Sequence, residues 1–185
     1  MPRITLIGYR GTGKSSVAAA LAARLGCQWT DADVALEKRL GCSIAELVRE
    51  RGEPAFREQE SRLLETLLEE CSGVLATGGG VVLADRNRDL LRARARPVVW
   101  LTAPPAVIRA RLAGDPSTQS RRPALLGGDP LAEVAVVLEQ REPLYRQCAD
   151  AVFDTASASV EDVAAGVARW LADFGAATGR QGGSA

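Results

Sequence analysis

A glycine-rich segment with a single lysine stands near the start of the chain. It matches the pattern G-x-x-x-x-G-K-[ST] without a gap and reads Gly8-Tyr9-Arg10-Gly11-Thr12-Gly13-Lys14-Ser15. Glycines at these places allow positive φ, so consecutive N–H groups can point inward at phosphate oxygens. A helix N-terminus adds partial positive charge. Lys14 offers a mobile charge to the β- and γ-phosphates, and Ser15 offers a hydroxyl to Mg²⁺. The segment predicts a nucleotide phosphate site rather than an ordinary strand–helix turn.

Two carboxylates, Asp31 and Asp33, stand where the second short apolar run ends. Residues two apart on an extended chain point to the same side, so both are expected to face the phosphate loop. Two such anions repel unless a cation or a hydroxyl lies between them, and Mg²⁺ and an acceptor hydroxyl are the natural partners. Asp31 could instead be the N-cap of a helix that begins at Ala32. The pair alone leaves both interpretations open, and the nearby phosphate loop favours the functional one.

The composition excludes several other chemistries. The 185 residues contain no histidine, which excludes histidine-dependent triads and His-zinc sites. The 23 basic and 23 acidic residues cancel, which argues against nucleic acid as the main partner. The cysteines fit no Cys-x-x-Cys pair or zinc ligand set, and we expect reduced thiols. We expect neither a targeting segment nor a membrane span, and therefore a cytoplasmic protein.

Short apolar runs alternate with longer helical patterns along the chain. The predicted strands are 3–7, 27–30, 73–77, 97–102 and 149–153. The predicted helices are 14–25, 32–40, a short one capped by Ser43 and stopped at Gly52, 54–71, 87–95, 106–112, 131–147 and 160–174. This alternation predicts an α/β three-layer sandwich with a central five-stranded parallel sheet. Ligands of such folds bind at the carboxyl ends of strands, which is where the candidate residues stand.

The length predicts one domain, which we place at residues 1–174. A Gly-, Pro-, Ser- and Arg-rich stretch over about 113–129 reads as a mobile lid. Residues 175–185 are small and polar, and we expect a disordered tail there.

Further motifs follow the phosphate loop in a distinctive order. They are Asp31-Ala32-Asp33, Phe56-Arg57-x-x-Glu60, Gly78-Gly79-Gly80, Arg122-Pro123 and Arg141-x-Pro143-Leu144-Tyr145. With these motifs the chain resembles the shikimate kinases over about residues 3–172. The resemblance implies a P-loop kinase fold and transfer of a phosphoryl group from ATP, with Mg²⁺, to the 3-hydroxyl of shikimate. It also implies a step in aromatic amino-acid biosynthesis. We expect no nucleic-acid or membrane partner, and a monomer.

The resemblance also implies roles for individual residues. Asp31 and Ser15 would hold Mg²⁺, and Asp33 would contact the acceptor hydroxyl as the candidate base. Arg57 and Arg141 would bind the shikimate carboxylate, which a planar guanidinium can grip with two hydrogen bonds.

The remaining implied roles concern the neighbouring loops and the nucleotide. Glu60 would brace Arg57, three residues away on one helix. Gly79 would give its N–H to the acceptor, with Gly80 beside it. Arg122, in the lid, would reach the transferring phosphate and act with Lys14 and Asp33 in catalysis. The implied nucleotide-binding residues are Gly11, Thr12, Gly13, Lys14, Ser15, Ser16, Arg111 and Arg122.

Two other functions are compatible with the phosphate loop. One is a kinase of the same fold that acts on another hydroxy acid, such as gluconate. The other is a nucleotide-binding module without turnover. The set of Asp33, Arg57 and Arg141 favours shikimate over another acid. A module that has lost catalysis is disfavoured, because four residues are intact: Lys14, Ser15, Asp31 and Asp33.

Overall fold

Five parallel strands form the centre of the protein. A computed structural model describes residues 1–114 and 133–179. The strands are β1 (Ile4–Ile7), β2 (Trp29–Asp31), β3 (Val74–Ala76), β4 (Val98–Thr102) and β5 (Ala151–Asp154). They pair in the order β2-β3-β1-β4-β5, and each neighbouring pair is parallel. The predicted five-stranded parallel sheet is confirmed.

Seven helices are described around this sheet. They are α1 (Lys14–Leu25), α2 (Ala32–Leu40), α3 (Ile44–Glu70), α4 (Asp85–Arg94), α5 (Pro105–Ala113), α6 (Val134–Cys148) and α7 (Val160–Gly179). Their order confirms the alternation of strands and helices that the sequence predicts.

The two faces of the sheet are covered by different helices, because successive strand side chains point to opposite faces. Leu6 and Leu101 pack with Val17 of α1 and Val163 of α7 in one core cluster. Residues of α2, α3, α4 and α6 pack against the other face, where Ile7, Leu75 and Trp100 point. The three-layer sandwich is therefore present. It leaves the carboxyl ends of the strands as the edge where loops can form a site.

The helix α3 contains a break at the place the sequence predicts. Ser43 and Glu46 form a complete capping box at its start. Gly52 has φ 80° and ψ 165° inside the helix. This conformation favours glycine. Pro54 is tolerated just after the break, because in the first turn of a helix the N–H that proline lacks would have no partner in the helix. The kink orients the second half of α3, which carries two of the candidate site residues.

The C-terminal helix is longer than predicted. It continues to Gly179, so residues 175–179 are helical and the prediction of a disordered tail from residue 175 is wrong for them. Glycine at 175 lowers helix propensity without ending a helix, and two alanines follow it. The rings of Trp170 and Phe174 also pack 5.0 Å apart near this end. Residues 180–185 lie outside the described residues, as does the predicted lid beyond Gly114.

The cysteines agree with the sequence-based expectation of reduced thiols. All four thiols are free, with Cys71 and Cys148 buried and Cys27 and Cys42 half-buried. Within residues 1–114 and 133–179, every helix is too short or too polar to cross a membrane.

Candidate active site

The phosphate loop joins β1 to α1 and has the conformation that its glycines predict. Gly8, Gly11 and Gly13 have φ of 143°, 79° and 83°. A Cβ at Gly8 would lie 2.3 Å from the carbonyl oxygen of Leu101, so a side chain is excluded there. Thr12 Oγ1 and Lys14 Nζ both donate to the carbonyl oxygen of Tyr9, at 2.7 and 2.9 Å. These two bonds close the loop on itself and hold the lysine against it.

Asp31 connects β2 to the start of α1. Its Oδ2 accepts a hydrogen bond of 2.5 Å from Ser15 Oγ. Its Oδ1 accepts from the N–H of Asp33 at 2.9 Å and of Val34 at 3.3 Å, and so caps α2. Asp31 therefore caps α2, as one of the two interpretations predicts, and its other oxygen contacts Ser15 at the start of α1. Its role as a metal ligand stays a prediction. A hydroxyl beside a carboxylate is a hard oxygen donor set, and it fits Mg²⁺, which uses one or two protein groups together with phosphates and water.

Asp33 reaches the site differently from the extended-chain expectation. It lies in the first turn of α2, because the Asp31 cap turns the chain into the helix before residue 33. Its carboxylate lies beside the glycine that follows β3. A Cβ at Gly78 would stand 2.7 Å from Asp33 Oδ1 and 2.6 Å from Glu60 Oε1. Only a glycine fits between these two carboxylates.

Glu60 is a buried carboxylate held by Arg57. Arg57 Nη1 donates to Glu60 Oε2 at 2.8 Å, as the three-residue spacing predicts. Glu60 is 7% exposed, and within the described part of the chain its Oε1 has no hydrogen-bond partner. Burial raises the pKa of Glu60, and the nearby charge of Arg57 partly opposes that rise.

Arg57 is fixed on three sides. Besides Glu60, Glu53 accepts hydrogen bonds of 3.1 and 2.9 Å from Nε and Nη2 of Arg57. The guanidinium carbon lies 4.6 Å from the centre of the Phe56 ring. A Cβ at Gly80 would stand 2.1 Å from Arg57 Nη1. Arg57 therefore lies directly against the glycine segment, in a single orientation.

Arg141 approaches the same glycine segment from α6. Its Nη1 donates to the carbonyl oxygen of Gly79 at 3.2 Å, and its guanidinium carbon lies 5.7 Å from the centre of the Tyr9 ring. The structure thus places Arg57 at Gly80 and Arg141 at Gly79. Two guanidinium groups on one short segment form a suitable site for a carboxylate.

Arg111 connects the phosphate loop with the segment after β5. Its Nη1 donates to the carbonyl oxygen of Gly11 at 3.3 Å and to Thr155 Oγ1 at 2.9 Å. Its Nη2 donates to the carbonyl oxygen of Thr155 at 2.5 Å. This places Arg111 beside the phosphate loop, on the side of the segment after β5. Ser16 is exposed on the first turn of α1. Arg122 lies outside the described residues.

Three features of the site were not predicted from the sequence. Glu53 could have been found, because it stands four residues before Arg57 on a helical pattern. Arg10 and Glu133 form a buried ion pair of 2.7 Å across 123 positions, and no local pattern predicts it. Tyr145 belongs to the motif that begins at Arg141, but spacing along the chain does not predict its contact with Gly79.

The strand order, the phosphate loop after β1 and the acidic and arginine groups at the strand ends define a P-loop phosphotransferase of small molecules. Comparisons with known proteins narrow this class. The family model of shikimate kinase matches residues 10–172, and the chain belongs to the shikimate kinase family. It is therefore an ATP-using kinase.

Individual relatives agree with this membership. The chain is 45% identical over 154 residues to the shikimate kinase of Oleidesulfovibrio alaskensis, covering 83% of this chain and 88% of the relative. It is 48% identical over 147 residues to that of Nitratidesulfovibrio vulgaris, covering 80% and 83%.

Solved structures of shikimate kinases also resemble this chain. The structure of shikimate kinase from Acinetobacter baumannii in complex with shikimate has a TM-score of 0.85 and 31% identity, covering 92% of this chain and 93% of that one. A gluconokinase from Sinorhizobium meliloti has a TM-score of 0.60 at 18% identity, over 96% of this chain and 95% of that one, and shares the fold alone.

Proposed function

We propose that the protein transfers the γ-phosphoryl group of ATP to the 3-hydroxyl of shikimate, giving shikimate 3-phosphate and ADP. One observation carries the proposal. Two arginines, Arg57 and Arg141, and the carboxylate of Asp33 meet around the glycine segment 78–80, at the strand end beside the phosphate loop. A small acid with a hydroxyl to be phosphorylated matches this combination of charges.

The nucleotide end of the site would hold the phosphates of ATP. Consecutive N–H groups of the phosphate loop and the start of α1 suit phosphate oxygens. Lys14 would balance the charge that develops on the transferring group. Mg²⁺ would be held by Ser15 and Asp31, and when bound it neutralises phosphate charge. Arg111 would lie toward the adenine base of ATP, and Arg122 would complete the phosphate contacts.

The acceptor end of the site would hold shikimate through its carboxylate. Arg57 is held in place by Glu53 and Glu60, so its orientation is set before the acid binds. Arg141 would supply the second guanidinium from the other side. A bidentate contact with a carboxylate is among the stronger hydrogen-bonded interactions in proteins. The backbone N–H groups of Gly79 and Gly80 would contact the acid beside these arginines.

Asp33 would align the acceptor hydroxyl. The transition state of phosphoryl transfer is loose, so the attacking oxygen needs alignment more than early deprotonation. As the new O–P bond forms, the hydroxyl proton would pass to the Asp33 carboxylate. The bond between the γ-phosphorus and the bridging oxygen breaks, and its electrons leave with ADP.

A coupled assay of ADP release tests the proposal. We expect ATP-dependent turnover with shikimate, and little turnover with gluconate or with ATP alone. The Lys14→Met variant should lose most of the rate, since such electrostatic contributions amount to several kcal/mol. Turnover with gluconate in place of shikimate would favour the other kinase. No ADP release with any acid would favour the module without turnover. A cytoplasmic location and a monomeric state stay predictions.

A further inference from the structure

Two side chains of α6 donate to one backbone oxygen. Tyr145 Oη donates to the carbonyl oxygen of Gly79 at 2.5 Å, and Arg141 Nη1 donates to the same oxygen at 3.2 Å. The donors stand four residues apart, and so lie on the same face of the helix. The shorter bond belongs to the tyrosine, whose role the proposed function leaves open.

The phenol of Tyr145 is anchored in the core. Tyr145 is 0% exposed, and its ring stacks on Trp100 of β4 with 5.7 Å between the centres and 18° between the planes. Burial raises the pKa of Tyr145 well above its ordinary value, so the hydroxyl remains a donor throughout the neutral range. The sheet and α6 together therefore fix the position of this donor.

The glycine segment 78–80 needs contacts from other elements to fix the orientation of its peptide groups. Three consecutive glycines have little conformational preference, so they cannot set a peptide orientation by themselves. The peptide bond between Gly79 and Gly80 is planar, and a trans peptide directs its N–H opposite to its carbonyl. Because the Gly79 carbonyl points to Tyr145 and Arg141, the Gly80 N–H points away from them. Whatever fixes the carbonyl also sets the direction of that N–H.

We propose that Tyr145 is a positioning residue of the acceptor site, which holds the Gly79 carbonyl so that Arg141 is free to bind the acid. This inference rests on the proposed function. When the Arg141 guanidinium turns to a carboxylate, the phenol keeps the glycine peptide in place. Without the phenol, Arg141 is the remaining donor to Gly79 among the described residues, and binding of the acid must compete with that bond.

The Tyr145→Phe variant tests the inference in the ADP-release assay. We expect the KM for shikimate to rise about fivefold, the scale of one neutral hydrogen bond. The KM for ATP should stay within about twofold, because the nucleotide does not use this oxygen. The wild type is assayed alongside. If it does not turn over shikimate, the proposed function has failed; the inference about Tyr145 is judged on the variant relative to an active wild type.

A control separates positioning from a general loss of stability. Ser43→Ala removes the cap of α3, in a different part of the chain, and should destabilise the fold without changing either KM. An unchanged KM for shikimate in Tyr145→Phe would overturn the inference. So would equal rises for both substrates, or the same change in Ser43→Ala.

A spectroscopic measurement does not depend on how the variant folds. The chain has two tyrosines, so incorporation of 3-fluorotyrosine gives two ¹⁹F resonances, which a Tyr9→Phe protein assigns. The Tyr145 resonance should move when shikimate is added without nucleotide, because the carbonyl loses its second donor. A resonance that stays in place at saturating shikimate would contradict the role of Tyr145.

Discussion

The hydroxyl of Ser15 donates to the carboxylate of Asp31 at 2.5 Å, and this bond connects the start of α1 with the end of β2. The other oxygen of Asp31 caps α2. One carboxylate therefore orients the phosphate loop helix toward the strand end and also starts the helix that carries Asp33. Asp31 therefore connects the proposed nucleotide side of the site with the proposed acceptor side.

The Asp31→Asn variant should need more Mg²⁺ than the wild type. Asparagine is as good a helix cap as aspartate, so α2 should persist and the melting temperature should change little. The lost charge weakens the hard oxygen site for Mg²⁺. A titration of rate against Mg²⁺ should show a higher half-saturation concentration, and added metal should restore part of the rate. Asp85→Asn, at an exposed position in α4, is the matched control and should leave the titration unchanged.

The Gly80→Ala variant should displace Arg57. The added methyl would stand 2.1 Å from Arg57 Nη1. Gly80 is not among the positive-φ glycines, so the alanine meets a steric problem and not a conformational one. Loss of a charge-assisted contact of about 1.5–3 kcal/mol should raise the KM for shikimate by at least about tenfold, with little change for ATP.

Gly175→Ala is the control for this change, because a Cβ at Gly175 meets nothing within 4 Å. It should behave as the wild type. A Gly80→Ala protein with an unchanged KM for shikimate would show that Arg57 does not bind the acid.

Local patterns predict much of this molecule from its sequence. The buried strands, the capping box at Ser43 and the break at Gly52 are set by neighbouring residues, so they follow from the sequence alone. The pairing of Arg57 with Glu60 follows from helical spacing in the same way. The position of Asp33 does not, because the Asp31 cap bends the chain between them.

Long-range contacts set the rest of the site. Arg10 and Glu133 are 123 positions apart, and Tyr145 and Gly79 are 66 apart. Such contacts arise from packing α6 against the sheet edge, and no periodicity in either segment encodes its partner. The end of α7 differs from the prediction for a local reason: the small residues after Phe174 were expected to be disordered, but Ala176 and Ala177 continue a helix that is already formed.

The Glu60→Gln variant should change the pH dependence of stability. Burial raises the folded-state pKa of Glu60 from its ordinary value of 4.5. Between that value and the raised one, the folded protein keeps a proton that the unfolded chain has lost. The contribution of Glu60 is therefore fully present below pH 4.5 and is lost as the pH rises through the folded pKa.

Glutamine cannot titrate, so the variant lacks this dependence. Urea unfolding at several pH values from about 4 to 7 should show the variant gaining stability relative to the wild type as pH rises. Other titrating groups cancel in the difference between the two proteins. A difference that stays constant, or that changes in the opposite direction, would contradict the raised pKa.

The Asp33→Asn variant should separate catalysis from nucleotide binding. Asparagine keeps the shape of the side chain beside Gly78 and one acceptor oxygen, but it cannot take a proton. The variant should bind ATP with Mg²⁺ normally and bind shikimate less well. Turnover should fall by at least about a hundredfold, the low end for loss of a general base.

The comparison with Asp31→Asn distinguishes the roles of the two carboxylates, metal binding for Asp31 and catalysis for Asp33. Added Mg²⁺ should restore part of the rate of Asp31→Asn and none of the rate of Asp33→Asn, because of the two carboxylates only that of Asp31 is proposed to hold the metal. Melting temperatures of both variants check that α2 is intact, since residue 33 lies in its first turn, where a negative charge is favourable. If metal restores the rate of Asp33→Asn and not that of Asp31→Asn, the two roles are reversed.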